Sequence, residues 1–205
     1  MTVSNITDKK KDIRKFSISI LRSNKLFGFW LYLMNDCIIF ATLFAVYIVM
    51  KNNIANGPSG KDIFYLPLVI IESFLLLLSS FSYSFIFIEI EKYNKNKVIF
   101  WFSVTFLLGL TFLVLEILEF YNLVHRGYGP SCSGFLSAFF ALLSTHGIHV
   151  FSALLWIIVM IRQVIKFGIT YEVYMRIFCL SLFWHFLDII WVFVFSIVYL
   201  IGVIS

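Results

Sequence analysis

Apolar residues fill five long runs, at 27–50, 64–90, 98–123, 135–161 and 177–204, and no lysine or arginine enters any of them. A bilayer core of about 30 Å takes about twenty helical residues to cross, so each run is long enough. Backbone groups in hydrocarbon must bond to one another, which makes each run a helix. The breaks between runs have turn chemistry: Asn52, Asn53, Gly57, Pro58 and Gly60 in the first, polar residues 91–97 in the second, and Gly127 to Pro130 opening the third. Pro67 falls in the first turn of the second run, where its missing N–H is harmless. Connections this short make helices adjacent in sequence antiparallel neighbours. The predicted fold is an all-α, five-helix transmembrane bundle over 27–205, preceded by a basic segment at 1–26.

Composition agrees. A chain that is 61% hydrophobic and 13% charged is no ordinary soluble domain. The first run is too long for a secretory h-region and no small-x-small cleavage site closes it, so it is expected to be retained as a span. The net charge of +5 would point to nucleic acid in a soluble protein. Here the cations sort by loop instead. Lys9, Lys10, Lys11, Arg14, Lys15, Arg22, Lys25, Lys92, Lys95, Lys97, Arg162, Lys166 and Arg176 fall on one side, and Lys51, Lys61 and Arg126 on the other. That bias predicts a cytoplasmic N-terminus and a C-terminus outside. The basic N-terminal segment is read as a tail that obeys the orientation rule, with the option of lying along anionic headgroups. Cys37, Cys132 and Cys179 have no metal-ligand spacing and read as packing residues.

The chemistry lies in what interrupts the apolar runs. Asp36, Glu72, Glu116, Glu119, His146, His149, His185 and Asp188 all sit inside them. An acid at the bilayer centre costs about 2.5–3.5 kcal/mol on insertion scales, so each should face other helices. Glu116 and Glu119, His146 and His149, and His185 and Asp188 are each spaced i, i+3, so three successive helices present a polar pair on one face. The pairs suggest a common seam, with Glu72 and Glu116 in its outer half, Glu119 near the outer surface and the other four near mid-depth. Asp36 stands apart on the inner half of the first span. Three readings of the seam stay open: hydrogen-bonding glue between helices, a metal site, and a proton or ion path. Gly147 between the two histidines favours close helix approach. No glycine-rich phosphate loop, nucleophile elbow or HExxH motif occurs. The five tryptophans read as belt anchors near span ends or as packing residues.

Four blocks then carry a resemblance: Phe27-Gly28-Phe29-Trp30-Leu31-Tyr32-Leu33-Met34-Asn35-Asp36, the run from Gly134 to Leu142, Thr145-His146-Gly147-Ile148-His149-Val150, and Trp184-His185-Phe186-Leu187-Asp188-Ile189-Ile190-Trp191. Together they resemble subunit 3 of the haem–copper oxidases, from about Phe27 onward. Five spans rather than seven, with the loop from Gly57 to Phe64, are similar to the cytochrome bo-type ubiquinol oxidase version. The resemblance implies a non-catalytic accessory subunit of a proton-pumping enzyme. It would pack against a catalytic subunit 1 and other oxidase subunits, and it would bind phospholipids but no nucleic acid. Haem and copper would belong to the partner, with no cofactor on this chain. Asp36 matches a buried family carboxylate, often Glu, associated with support of proton uptake. Glu119, His146, His149, His185 and Asp188 match structural or lipid-contact positions rather than ligands. The rival readings are a proton-coupled secondary transporter built on the acid–histidine seam, which would need an internal repeat that is not seen, and a membrane metalloenzyme.

Overall fold

In the computed structural model the described residues are 3–51, 53, 66–200 and 202, with side chains described from residue 24 except at 25 and 66. They hold helix and no strand. Helix α1 spans Val3–Met50, α2 Leu66–Glu91, α3 Lys95–His125, α4 Gly134–Phe167 and α5 Tyr171–Val194, which passes into a π-helical turn at Phe195–Leu200. Among the described residues five stretches are long and apolar enough to cross a membrane: Leu26–Met50, Pro67–Glu91, Lys95–His125, Gly134–Phe167 and Tyr171–Leu200. The all-α, five-helix class expected from the sequence is the class found. Most of the Asn52–Gly60 turn, Lys61, Phe64, the side chains of the N-terminal cations and residues 203–205 lie outside the described residues. Two compact units divide the chain, one ending at Ile39 and the other beginning at Phe40.

Within the second unit α2 packs along α3, α3 against α4, α4 against α5, and α5 back against α2. The helices overrun the bilayer. At 34 residues, α4 is about 50 Å long against a core of about 30 Å. Arg162 and Lys166 therefore ride on α4 and Arg176 on α5, leaving residues 168–170 to connect them. Gly168 makes that turn at φ +69°, a left-handed conformation that costs glycine least.

The helix ends are closed by specific groups. The Ser133 hydroxyl accepts from the Leu136 N–H at 3.1 Å, and the Thr170 hydroxyl from the Val173 N–H at 3.4 Å. Phe135, in the first turn of α4, gives its otherwise orphaned N–H to the Asn53 carbonyl at 3.3 Å. At the α2–α3 turn, Glu89 gathers Lys92 at 3.4 Å, Lys97 at 3.8 Å and the Asn94 amide at 3.3 Å. Tyr93 turns the chain there with φ 55°.

Gly109 on α3 leaves room for side chains of its neighbouring helices. A Cβ there would lie 2.7 Å from Cη2 of Trp184 and 3.0 Å from Cδ2 of Leu154. Trp184 is buried and its indole is hydrogen-bonded to α2, so it has little freedom to yield. Gly109→Val is expected to destabilise the chain by about 1–3 kcal/mol through overpacking. Thermal unfolding in detergent checks this, and an unchanged midpoint would contradict it.

Candidate functional site

The structure sorts the sequence-predicted polar residues of the second unit into separate groups rather than one continuous seam. The first group is acidic. Glu72 from α2 and Glu116 and Glu119 from α3 lie close enough to feel one another's charge. The Tyr199 hydroxyl, brought in by the π-helical turn, donates to Glu119 Oε2 at 3.0 Å. Widened turns of this kind re-aim side chains locally. Neither Glu72 nor Glu116 has a hydrogen-bond partner among the described residues, although both are fully or almost fully buried.

His146 forms the second group, in an aromatic box. Its ring lies 5.3 Å from Trp191, 6.0 Å from Phe112 and 6.4 Å from Phe40, centroid to centroid. It is wholly buried, and both nitrogens lack a hydrogen-bond partner among the described residues. His149, one turn on, behaves differently. Its Nδ1 lies 2.7 Å from the Thr145 carbonyl, so it bonds to its own helix. Its ring also packs 5.2 Å from Phe40.

His185 and Asp188 make the third group. Their Nδ1 and Oδ2 atoms are 3.9 Å apart, within ion-pair range but too long for a hydrogen bond. Tyr83 borders this pair, its ring 6.3 Å from that of His185. Asp36 belongs to the unit ending at Ile39, where Tyr32, one turn earlier on α1, interacts with its carboxyl.

Gly147 has a specific role. A Cβ at that position would sit 2.9 Å from Glu116 Oε2, so the missing side chain makes room for the acid of the neighbouring helix. The close approach expected of this glycine is to a carboxyl rather than to a helix backbone.

Two Trp–Ser contacts between α2 and α5 are not legible in the sequence. The Trp184 indole N–H donates to the Ser79 hydroxyl at 3.0 Å, and Trp191 donates to Ser73 at 3.0 Å. Each serine passes its own hydrogen on, to Leu76 O at 2.6 Å and to Val69 O at 2.8 Å. Both tryptophans are buried in the helix interface. Of the two roles expected for the tryptophans, these two take the packing one. A serine-rich stretch of α2 (Ser73, Ser79, Ser80, Ser82, Ser84) was the available signal. Among the described residues no three His, Cys, Asp or Glu side chains are placed to hold a metal ion.

Comparison with known proteins adds the context. Residues 16–203 match the family model described as Cytochrome c oxidase subunit III. The chain is 58% identical over 182 residues to a Buchnera aphidicola (subsp. Baizongia pistaciae) protein named cytochrome bo(3) ubiquinol oxidase subunit 3, covering 89% of this chain and 94% of that one. A Pseudomonas aeruginosa protein of the same name is 51% identical over 87% of this chain and 86% of its own. The Bacillus subtilis protein named quinol oxidase subunit 3 is 42% identical over 86% of this chain and 87% of its own.

The Trp184–Ser79 contact is open to a double-mutant cycle with Trp184→Phe and Ser79→Ala. Interhelical hydrogen bonds in membranes average about 0.6 kcal/mol, with a maximum near about 1.7. A coupling energy in that range is expected from unfolding measurements, and additivity of the two substitutions would refute the contact.

Proposed function

We propose that this chain, which belongs to the cytochrome c oxidase subunit III family, is a non-catalytic accessory subunit of a proton-pumping, cytochrome bo-type ubiquinol oxidase. The complex would oxidise ubiquinol, reduce oxygen to water and move protons outward across a bacterial inner membrane. The chain's part is to support assembly and stability beside the catalytic subunit and to bind phospholipid. Asp36 is assigned to a proton-retaining surface on the inner half of α1.

One observation carries the reading: the ionisable residues in the spans are organised around each other and around aromatic rings, not around a reacting centre. Haem and copper are assigned to the partner subunit because the donor set here does not fit them. The imidazole of His146 is walled in by Phe40, Phe112 and Trp191, and among the described residues no three His, Cys, Asp or Glu side chains are placed to hold a metal ion. When bound in the partner, those groups supply the electron transfer and oxygen chemistry. The relatives' names favour this reading over a proton-coupled secondary transporter.

Orientation is part of the proposal. With the N-terminus in the cytoplasm, the α3–α4 connection faces the periplasm, and it carries the exposed Cys132. A membrane-impermeant maleimide should label Cys132 in intact spheroplasts. Labelling that appears only after permeabilisation would invert the topology.

Function is tested by deleting the chain and following oxygen consumption over time. The remaining complex is expected to start turnover normally and to lose activity or assemble poorly. Abolished chemistry in a fully assembled, haem-loaded remainder would overturn the accessory role.

A further inference from the structure

His185 opens outward at the centre of a membrane span. At 1.5 Å per residue it falls within about 1 Å of the middle of the Tyr171–Leu200 stretch. The hydrocarbon core extends about 15 Å to either side of that level. Yet the His185 side chain is 43% exposed, against 11% for that of Asp188. On the next turns of the same face, Ile189, Val192 and Phe193 are 57%, 51% and 51% exposed. The outer face of α5 is therefore an apolar ridge with one imidazole set in it.

Among the described residues no hydrogen bond completes that ring. Nδ1 faces Asp188 Oδ2 at 3.9 Å, and neither Asp188 oxygen has a hydrogen-bond partner. Tyr83, the aromatic neighbour, gives its hydroxyl hydrogen to Ile177 O at 3.0 Å. Acyl chains at this depth offer no hydrogen bond. Proton counting then restricts what the outside neighbour is. A net charge at the bilayer centre is costly, so the His–Asp pair is neutral as a whole. Two arrangements satisfy that: an imidazolium beside a carboxylate, or a neutral imidazole whose Nδ1 accepts from a carboxylic acid. In both, Nε2 carries a hydrogen, so the missing partner is an acceptor. An uncharged one, such as a hydroxyl, an amide oxygen or a free backbone carbonyl, keeps the site neutral.

We infer that the α5 face centred on His185 is a helix-packing seam, covered by a transmembrane helix of another oxidase subunit that presents an uncharged hydrogen-bond acceptor to Nε2. This rests on the oxidase-subunit reading. The outward positions are spaced i, i+4, i+7 and i+8 and form a stripe about 12 Å long. A helix covers such a stripe continuously and holds its acceptor at one depth, and histidine is among the residues that bond helices together in membranes. His185 thus acts between subunits, whereas Trp184 beside it bonds to Ser79 within the chain.

The test uses the intact, haem-containing complex in native membranes, with the photoreactive residue p-benzoylphenylalanine replacing Ile189 and His185 unchanged. Crosslinks are expected to a membrane-spanning peptide of another oxidase subunit, identified by mass spectrometry. Crosslinks to phospholipid alone, or to a second copy of this chain, overturn the proposal. Substitution tests the hydrogen bond. His185→Leu is expected to leave the haem-bearing remainder about three- to tenfold faster in detergent, and His185→Gln, which keeps a donor, to recover most of the retention. Release of both variants at the wild-type rate overturns the bond, and so does a Gln variant released as fast as the Leu one. Should His185→Leu fail to assemble, the Ile189 crosslink decides alone. A chain that leaves native membranes with no haem-bearing partner overturns the oxidase reading and the seam with it. A haem-bearing complex whose α5 face meets only lipid overturns the seam alone.

Discussion

A polar side chain sunk in hydrocarbon must find its hydrogen bond in the protein or in whatever touches the protein, because no water is there to supply one. That constraint orders the second unit of this chain. Hydroxyls on the spans turn back to their own helix, as Ser103 does to Ile99 O at 2.9 Å and Thr145 to Ala141 O at 2.7 Å. Ser73 and Ser79 do the same and also accept an indole N–H from α5, so one hydroxyl serves two helices. The tyrosines work in parallel. Tyr47 donates to Val198 O at 3.2 Å and Tyr83 to Ile177 O at 3.0 Å, each tying a distant helix to the α5 segment. The helix carrying Trp184 and Trp191 is thus the one to which the others are bonded.

Residues that this local accounting leaves unsettled are then informative. His146 and Glu116 are both buried without a hydrogen-bond partner among the described residues, yet their surroundings differ. His146 is enclosed by three rings, so a bulky ligand has no way to its nitrogens. Glu116 instead packs its carboxyl into the room left by Gly147, beside Glu72 and Glu119. An accessory subunit needs no catalytic group of its own to affect turnover. Fixing the shape of the membrane interface, and holding amphiphiles beside it, are both tasks that apolar helices with a few well-placed polar atoms perform.

The spans were legible in the sequence because lysine and arginine are so strongly excluded from hydrocarbon that their absence marks each helix. Their ends were less so: α4 and α5 continue past the lipid, where Arg162 and Arg176 are as acceptable on a helix as in a loop. Arg176 even donates to Gln163 on α4 at 2.8 Å. Pairing at i, i+3 correctly placed His146 with His149 and His185 with Asp188 on shared helices. It could not say that His146 faces a ring box while His149 bonds to Thr145 O. That depends on how helices rotate against one another, which intrahelical spacing leaves open. The Trp–Ser bonds were hidden for the same reason, since tryptophan in a membrane helix reads equally as belt or core. Tyr199 reaches Glu119 only through a widened helical turn, and a sequence pattern of period 3.6 carries no trace of that.

The central claim is that these sunken ionisable groups organise protein–protein and protein–amphiphile contacts and ligate nothing. Native mass spectrometry of the purified oxidase, with this subunit ejected from the complex, tests it most directly. The chain should leave at its polypeptide mass, with or without bound lipid, while haem and copper stay with the partner. An ejected subunit that retains stoichiometric haem or a transition metal would contradict it.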